Sequence, residues 1–182
     1  VEKQNMMEVS KPFRSYEPLP PQFKPADPTI ILVADAAIGI ILEEMPALWI
    51  EHVGSTAVAG LAGSGIIDLM LVCPADQINH VNQTLDRLGF QNSTFGEPLT
   101  AIALQKAASF SFEGKTYQIH AYVMSEDSPR INEFRNFRDR LRLDAAFRSA
   151  YQDLKRSFFS RGGLGMAEYN RLKSEFIEKF LR

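Results

Sequence analysis

The sequence predicts one mixed α+β domain over residues 1–182, and three features carry that expectation. The run Ile66–Val72 is almost wholly apolar and reads as a buried strand. Residues 90–123 are strand-like, with two segments meeting across a Glu-Gly-Lys turn. Apolar residues also recur at three- and four-residue spacing before, between and after these strands, which is the pattern of helices laid on a sheet. A chain of 182 residues has room for a full core.

Residues 1–28 form a proline-rich arm, in which Pro12, Pro18, Pro20, Pro21, Pro25 and Pro28 remove donors and bias their neighbours to extended geometry. Phe13, Tyr16 and Phe23 are expected to pin this arm to the body. Asp27-Pro28 reads as the N-cap and first residue of a helix with Ile30, Ala34, Ala37, Ile41 and Met45 on one face, ended by Pro46. Trp49–Val53 is the first strand, and Asp68 lies on the second. Pro74-Ala75-Asp76 opens a helix whose inner face is Ile78, Val81, Leu85 and Leu88 and whose cap is Gly89.

Thr100–Gln105 is a candidate strand, and Ala108–Phe112 and Thr116–Val123 form a hairpin across Glu113-Gly114-Lys115. Alternation places Tyr117, Ile119, Ala121 and Val123 on one face of the last strand and Gln118, His120 and Tyr122 on the other. Residues 130–182 read as helices. Ile131, Phe134, Phe137 and Leu141 stripe the first, and Asp144 caps a second that carries Phe147, Tyr151, Leu154 and Phe158. Gly162-Gly163-Leu164-Gly165 then separates it from a third with Met166, Tyr169, Leu172, Phe176 and Phe180. These stripes read as core.

The chemistry is expected around Glu51–Leu61. There an extended run ends in Gly54-Ser55-Thr56, followed by small residues and then the Asp68 strand. Glycine lets a ligand approach the main chain, and Ser55 and Thr56 add hydroxyl and N–H donors where a helical turn would open. Asp68 is the lone charge in an apolar strand and needs a partner. A Gly-Ser turn beside a strand carboxylate is an arrangement for phosphate and metal.

The stretch from His52 to Asp68 closely resembles the signature of the GrpB family, whose fold is similar to that of nucleotidyltransferases. Ile119-His120-Ala121-Tyr122-Val123, Phe137-Arg138-Asp139-Arg140-Leu141 and Tyr151-Gln152-Asp153-Leu154-Lys155 resemble the same family in the same order. The resemblance implies a nucleotidyltransferase-like mixed sheet with a C-terminal helical layer over residues 130–182. It also implies phosphate held by Gly54, Ser55 and Thr56, a Mg²⁺ ion on Asp68, and a nucleotide or other phosphorylated small molecule as ligand.

Arg138 and Lys155, in matched segments, are the candidate anion contacts from the helical half; a ligand role is the expectation for Arg138, while a solvated face is the safer reading for Lys155, Arg135 and Arg142. The usual nucleotidyltransferase strand carries two acids at i and i+2, which share a face. Here position i+2 is Met70, a poor ligand for a hard cation. His120 is a candidate catalytic partner of Asp68, as metal ligand, acid/base or phosphate donor, and equally a buried histidine bonded to Asp68. His52 is expected to orient the turn, and His80 to lie on the surface. Family members often have Lys-Pro where this chain has Ser64-Gly65, so a cation near the strand is replaced.

Charge is divided unevenly: residues 1–129 hold 7 Lys/Arg against 15 Asp/Glu, and residues 130–182 hold 13 against 7. Most of these charges read as solvated faces that attract one another, and a few as a basic layer facing an anionic ligand. A pI near 6.0 disfavours a general nucleic-acid binder. The single cysteine, Cys73, at a strand end, reads as an inert buried thiol in a reducing compartment. No apolar run long enough to span a bilayer and no opening signal peptide is seen, so a cytoplasmic location is expected. The leading functional expectation is a metal-dependent nucleotidyltransferase-like protein. Its rivals are a catalytically inactive binding module and an interaction domain docking through its charged halves.

Overall fold

The computed structural model of the protein describes residues 11–17, 22–93, 104–160 and 166–181. Among them the strands are β1 (Phe13–Arg14), β2 (Trp49–Val53), β3 (Ile66–Cys73), β4 (Gln91–Asn92), β5 (Leu104–Phe112) and β6 (Lys115–Ser125). The helices are α1 (Ile30–Glu44), α2 (Ile78–Leu88), α3 (Arg130–Leu143), α4 (Ala145–Ser160) and α5 (Met166–Leu181). One sheet runs β1-β5-β6-β3-β2, with β4 beside β5. Only the β3–β6 pair in it is parallel, so the sheet is mixed as expected.

The period-two alternation sorts the two faces. Ile67, Leu69 and Leu71 of β3 and Ile119, Ala121 and Val123 of β6 form one core with Val33, Ala37 and Ile41 of α1 and Val81 and Leu85 of α2. The opposite face carries Val53, Met70 and Met124 beneath Ile131 of α3, with Tyr122 and Phe134 at its margin. A third cluster joins Val58 and Leu61, just past the Gly-Ser turn, to Phe137 and Leu141 of α3 and Phe147 and Tyr151 of α4. That cluster brings the C-terminal helices to the turn. Without it, Lys155 would have no route to Ser55.

Several local expectations are refined. The first helix begins at Ile30 with Thr29 as N-cap, two residues beyond the expected Pro28 start. The Asp27 carboxylate accepts the N–H and hydroxyl of Thr29 at 3.0 and 2.7 Å, and it also receives Lys115 and Tyr117 from the hairpin. Lys115, then Thr29, hold its pKa below the ordinary carboxylate range.

No break separates Thr100–Gln105 from Ala108–Phe112 over the described part: β5 runs continuously from Leu104, and residues 100–103 lie outside the described residues. Lys106 can sit within that strand because its ammonium reaches Asp86 at 2.6 Å and Asn92 at 3.1 Å. The hairpin turn is two residues, Glu113 (φ 47) and Gly114 (φ 79), and Lys115 already pairs with Phe112. Positive φ at both positions matches strand twist.

The arm is more regular than its prolines suggest. Phe13 pairs with Phe110 in the sheet and packs on Phe90 with ring centroids 4.6 Å apart. Gly89, the left-handed cap of α2 at φ 112, leaves room for it, since a Cβ there would stand 2.0 Å from the Phe13 carbonyl oxygen. Further along, Lys24 bridges Gly63 through both backbone bonds, at 2.7 and 3.0 Å.

Asp144 caps α4 as expected, accepting the Phe147 N–H at 2.9 Å. The Gly162–Gly165 break lies outside the described residues, as do the side chains of Met166, Tyr169 and Phe180. No helix among the described residues is long and apolar enough to cross a membrane.

Candidate functional site

Gly54 ends β2 at φ 70 and ψ −169, a backbone open to glycine and strained for other residues. It lies against Asp68, because Val53 and Asp68 are register partners across the β2–β3 pair. A Cβ on Gly54 would sit 2.4 Å from Asp68 Oδ2. Turn and carboxylate therefore share one wall, and the Asp68 side chain keeps 21% of its surface exposed.

The turn itself is braced from β2. Thr56 Oγ donates to the Ile66 carbonyl at 2.8 Å, so it accepts at 3.0 Å from His52 Nε2, which must carry the proton. Burial pulls the His52 pKa down to about 4, with Asp68 opposing, and the ring stays neutral. His52 orients the turn as expected. Thr56 sits in the same structural relay, with its hydroxyl already committed.

Ser55 faces the helical layer. Lys155 of α4 reaches it with Nζ 2.8 Å from Oγ, and a Cβ on Gly63 would meet the same Nζ at 2.6 Å. Lys155 is 2% exposed, not on the solvated face expected of it, because α4 packs over the turn; burial, then Lys173, bring its pKa down to about 7 against the pull of Asp68.

On the other side of Asp68, the parallel β3–β6 register sets His120 level with it, Nδ1 to Oδ1 3.7 Å. Tyr122, two residues on and on the same face, donates to Asp68 Oδ1 at 3.3 Å. Tyr16 of the arm closes the group, its hydroxyl 3.4 Å from His120 Nε2 and its ring 5.6 Å from the imidazole. Burial lowers the His120 pKa more than Asp68 raises it, which favours the neutral base. Burial and Asp68 raise both tyrosine hydroxyls, so they remain protonated donors.

Of the predicted site residues, the structure brings together Gly54, Ser55, Asp68, His120 and Lys155. Arg138 is engaged elsewhere: it donates to Glu51 at 2.7 Å, to Asp139 at 2.8 Å and to the His52 carbonyl at 3.4 Å. Of the two arginines expected on a solvated face, Arg142 is exposed as expected and also donates to the Ala57 carbonyl at 3.0 Å, whereas Arg135 is half-buried, binding Glu51 at 2.5 Å and stacking 5.5 Å over Trp49. The attraction between the two charged halves is concentrated on Glu51.

Glu51 also answers the question posed by Met70. It is the register partner of Met70, so a second carboxylate enters from the neighbouring strand. Burial opposes its charge, but Arg135 and Arg138 outweigh burial and hold its pKa low. That acid is already neutralised by protein. Around the Ser64-Gly65 position two cations stand by, one from the helices and one from the arm: Lys155 Nζ lies 2.6 Å from the position of a Gly63 Cβ, and Lys24 Nζ 3.9 Å from that of a Gly65 Cβ.

Among the described residues no cluster of three or more His, Cys, Asp or Glu side chains is placed to hold a metal. Of such side chains Asp68 is accompanied by His120 alone at 3.7 Å, two groups where a resident hard-cation cage takes roughly six or more oxygens. Cys73 is 2% exposed, with its thiol pKa raised by burial, and His80 is exposed, both as expected. A cavity of about 410 Å³ between β1 and the end of α2, lined by Lys11, Phe13, Arg14 and Gln91 among others, includes none of these site residues.

Sequence reasoning missed Tyr16, Lys173, Lys24 and Glu51 as site neighbours. Tyr122 was missed as well, although it alone carried a local signal, its shared strand face with His120.

This mixed sheet, with a Gly-Ser turn against a strand carboxylate, has the nucleotidyltransferase fold. The Cid1 poly(U) polymerase structure with magnesium and 3′-dATP bound aligns at a TM-score of 0.53 and 15% identity, covering 82% of this chain and 49% of that one. The crystal structure of the conserved protein GrpB from Enterococcus faecalis aligns at a TM-score of 0.66 and 19% identity, covering 88% of this chain and 100% of that one. The family model described as GrpB protein matches residues 22–182, and the chain belongs to the GrpB family.

A UPF0157 protein of Streptomyces coelicolor is 30% identical over 70% of this chain and 64% of its own length. A second, from Halalkalibacterium halodurans, is 28% identical over 75% and 67%. The chain thus spans about two thirds of these curated relatives.

Proposed function

We propose that this protein binds a nucleotide, or another phosphorylated small molecule, with its phosphates in the corner between Gly54-Ser55 and Lys155. The observation that carries the reading is the convergence on one glycine-built turn of a hydroxyl, an enclosed amine and a carboxylate. Backbone N–H groups at Ser55 and Thr56 and the Ser55 hydroxyl suit phosphate oxygens, and Lys155 supplies positive charge. A Mg²⁺ ion travelling with the phosphates would find Asp68 as its one carboxylate, and would neutralise charge on the ligand. The poly(U) polymerase of the same fold, described with magnesium and 3′-dATP, supports that choice of ligand class.

Binding without transfer is the form of this reading that the acids favour, because Met70 replaces one and Glu51 is held by two arginines. A second reading keeps group transfer, on the observation that a neutral His120 stands beside Asp68. In that case His120 takes the proton from an acceptor hydroxyl.

Titrating ATP, GTP, CTP and UTP with and without Mg²⁺ tests the proposal, with Asp68→Asn alongside. Saturable binding is expected, and failure in every combination refutes it. Affinity indifferent to Mg²⁺ and to Asp68→Asn selects the binding module over the transferase.

A further inference from the structure

Among the described residues two lysines are fully enclosed, and their surroundings differ. Lys106 is 1% exposed, and its ammonium is matched by Asp86 at 2.6 Å. Lys155 is 2% exposed and bonds to a hydroxyl; among the described residues no carboxylate lies at ion-pair distance from it. An enclosed ammonium without a counter-ion is costly, so the amine either gives up its proton or takes an anion as partner.

We propose that the ligand's phosphate and a proton bind to this protein together, the anion serving as the counter-ion that Lys155 lacks. The inference rests on the reading that the turn at Gly54-Ser55 binds phosphate, and adds to it a coupling between affinity and pH. Ser55 allows either state, because its hydroxyl accepts from an ammonium and donates to a free amine across the same 2.8 Å.

Every element around the amine bears on its charge. Asp68 on β3 attracts the proton without touching Nζ, and Lys173 on α5 repels it. Tyr151, one turn earlier on α4, presents its ring 4.6 Å from Nζ. The loop wall is Gly63, which has no side chain, and Lys24 lies along Gly65 in the same loop. Beyond Asp68 stand His120 and Tyr16.

Burial and Lys173 together bring the free amine to about 7, so near neutrality a large share of unliganded molecules lack this proton. A phosphate beside Nζ favours the charged form. Above that pH, binding must draw in a proton, and affinity must fall as protons become scarce.

Calorimetric titration with ATP in the presence of a metal chelator, at pH 8 in two buffers of unlike ionisation heat, counts the protons taken up. Close to one proton per ATP is expected, with affinity falling about tenfold per pH unit from 7.5 to 9.5. The phosphate's own ionisation is complete in that range, since its second pKa lies near 6. Lys155→Arg is charged at every pH and is expected to lose both the uptake and the slope.

Lys173→Gln, on the neighbouring helix, is expected to move the onset of the fall to higher pH. ATP binding with no uptake and a flat profile in the natural chain overturns the coupling and leaves the nucleotide reading standing. No ATP binding between pH 6 and 9.5, with Mg²⁺ or without it, overturns the nucleotide reading itself. The natural chain's proton count decides the matter even if a variant fails to fold.

Discussion

Replacing Lys155 with methionine is expected to stabilise the unliganded protein in acid, and to do so less and less as pH rises. The amine's pKa falls from 10.5 to about 7 on folding, because burial and Lys173 disfavour its charge. Below pH 7 the group is charged in both states, and the folded state carries the whole cost, about 4–5 kcal/mol at roughly 1.4 kcal/mol per pKa unit.

Between 7 and 10.5 the unfolded chain binds more protons than the native one, so the natural protein gains stability with rising pH. The gain amounts to about 2–3 kcal/mol between pH 6 and pH 9. Methionine keeps the length and packing of the chain and removes that dependence. It also removes the Ser55 bond, worth about 1 kcal/mol.

The variant should therefore exceed the natural chain by about 3–4 kcal/mol at pH 6, and by only about 1 kcal/mol at pH 9. Urea unfolding followed by far-ultraviolet circular dichroism at the two pH values measures both numbers. A difference that is the same at pH 6 and pH 9 would refute the reasoning, because the native amine would then titrate as it does in the unfolded chain.

Three further outcomes follow from the same geometry. Gly54→Ala puts a methyl group 2.4 Å from Asp68 Oδ2 at a backbone φ of 70. Urea melts should show a loss of about 1–3 kcal/mol, and ATP affinity should drop more than tenfold. Glu51→Gln leaves Arg135 and Arg138 without their shared carboxylate, and a cost of about 2 kcal/mol is expected. That cost should shrink below pH 4 in acid melts, because Arg135 and Arg138 keep the native Glu51 pKa low and its contribution is lost as pH falls through that value. Gly89→Ala drives a Cβ to 2.0 Å from the Phe13 carbonyl. Hydrogen exchange should therefore show β1 and its partner residues on β5 opening more readily, while amides of β3 keep their protection.

The parts of this fold that were legible from sequence are those set by local periodicity. Alternation placed His120 and Tyr122 on one face, and three- and four-residue spacing found the five α-helices of the described residues with small errors at the ends. The α1 start was missed because Asp27 divides itself between Thr29 and a hairpin nearly ninety positions away. A capping signal read locally has no access to that second demand.

The grouping of candidate residues was legible at Gly54, Ser55 and Asp68, which adjoining strands carry, and at His120, which the parallel register sets alongside. Arg138 shows the limit. An arginine in a basic helix near the Gly-Ser turn looks like an anion contact, and the anion that it meets in the structure is the Glu51 carboxylate, 2.7 Å away. Sequence gives the charge of a residue but not the register of a hairpin, and the register is what puts Glu51 beneath α3. Tyr16 was read as an anchor, which it is, and its second role depends on where the arm crosses the sheet.

The bond between Ser55 and Lys155 spans 100 positions, and the one between Tyr16 and His120 spans 104. Loops of that size close late, since little is gained until the intervening sheet and helices have formed. The corner at Gly54 is complete only when α4 is docked on the turn and the arm on the sheet. A chain in which the arm and α4 have not docked would lack both the Tyr16 and the Lys155 contacts. Occupancy by a tight-binding compound would then select completed molecules out of the ensemble, and such a compound would act as a folding aid to the protein it occupies.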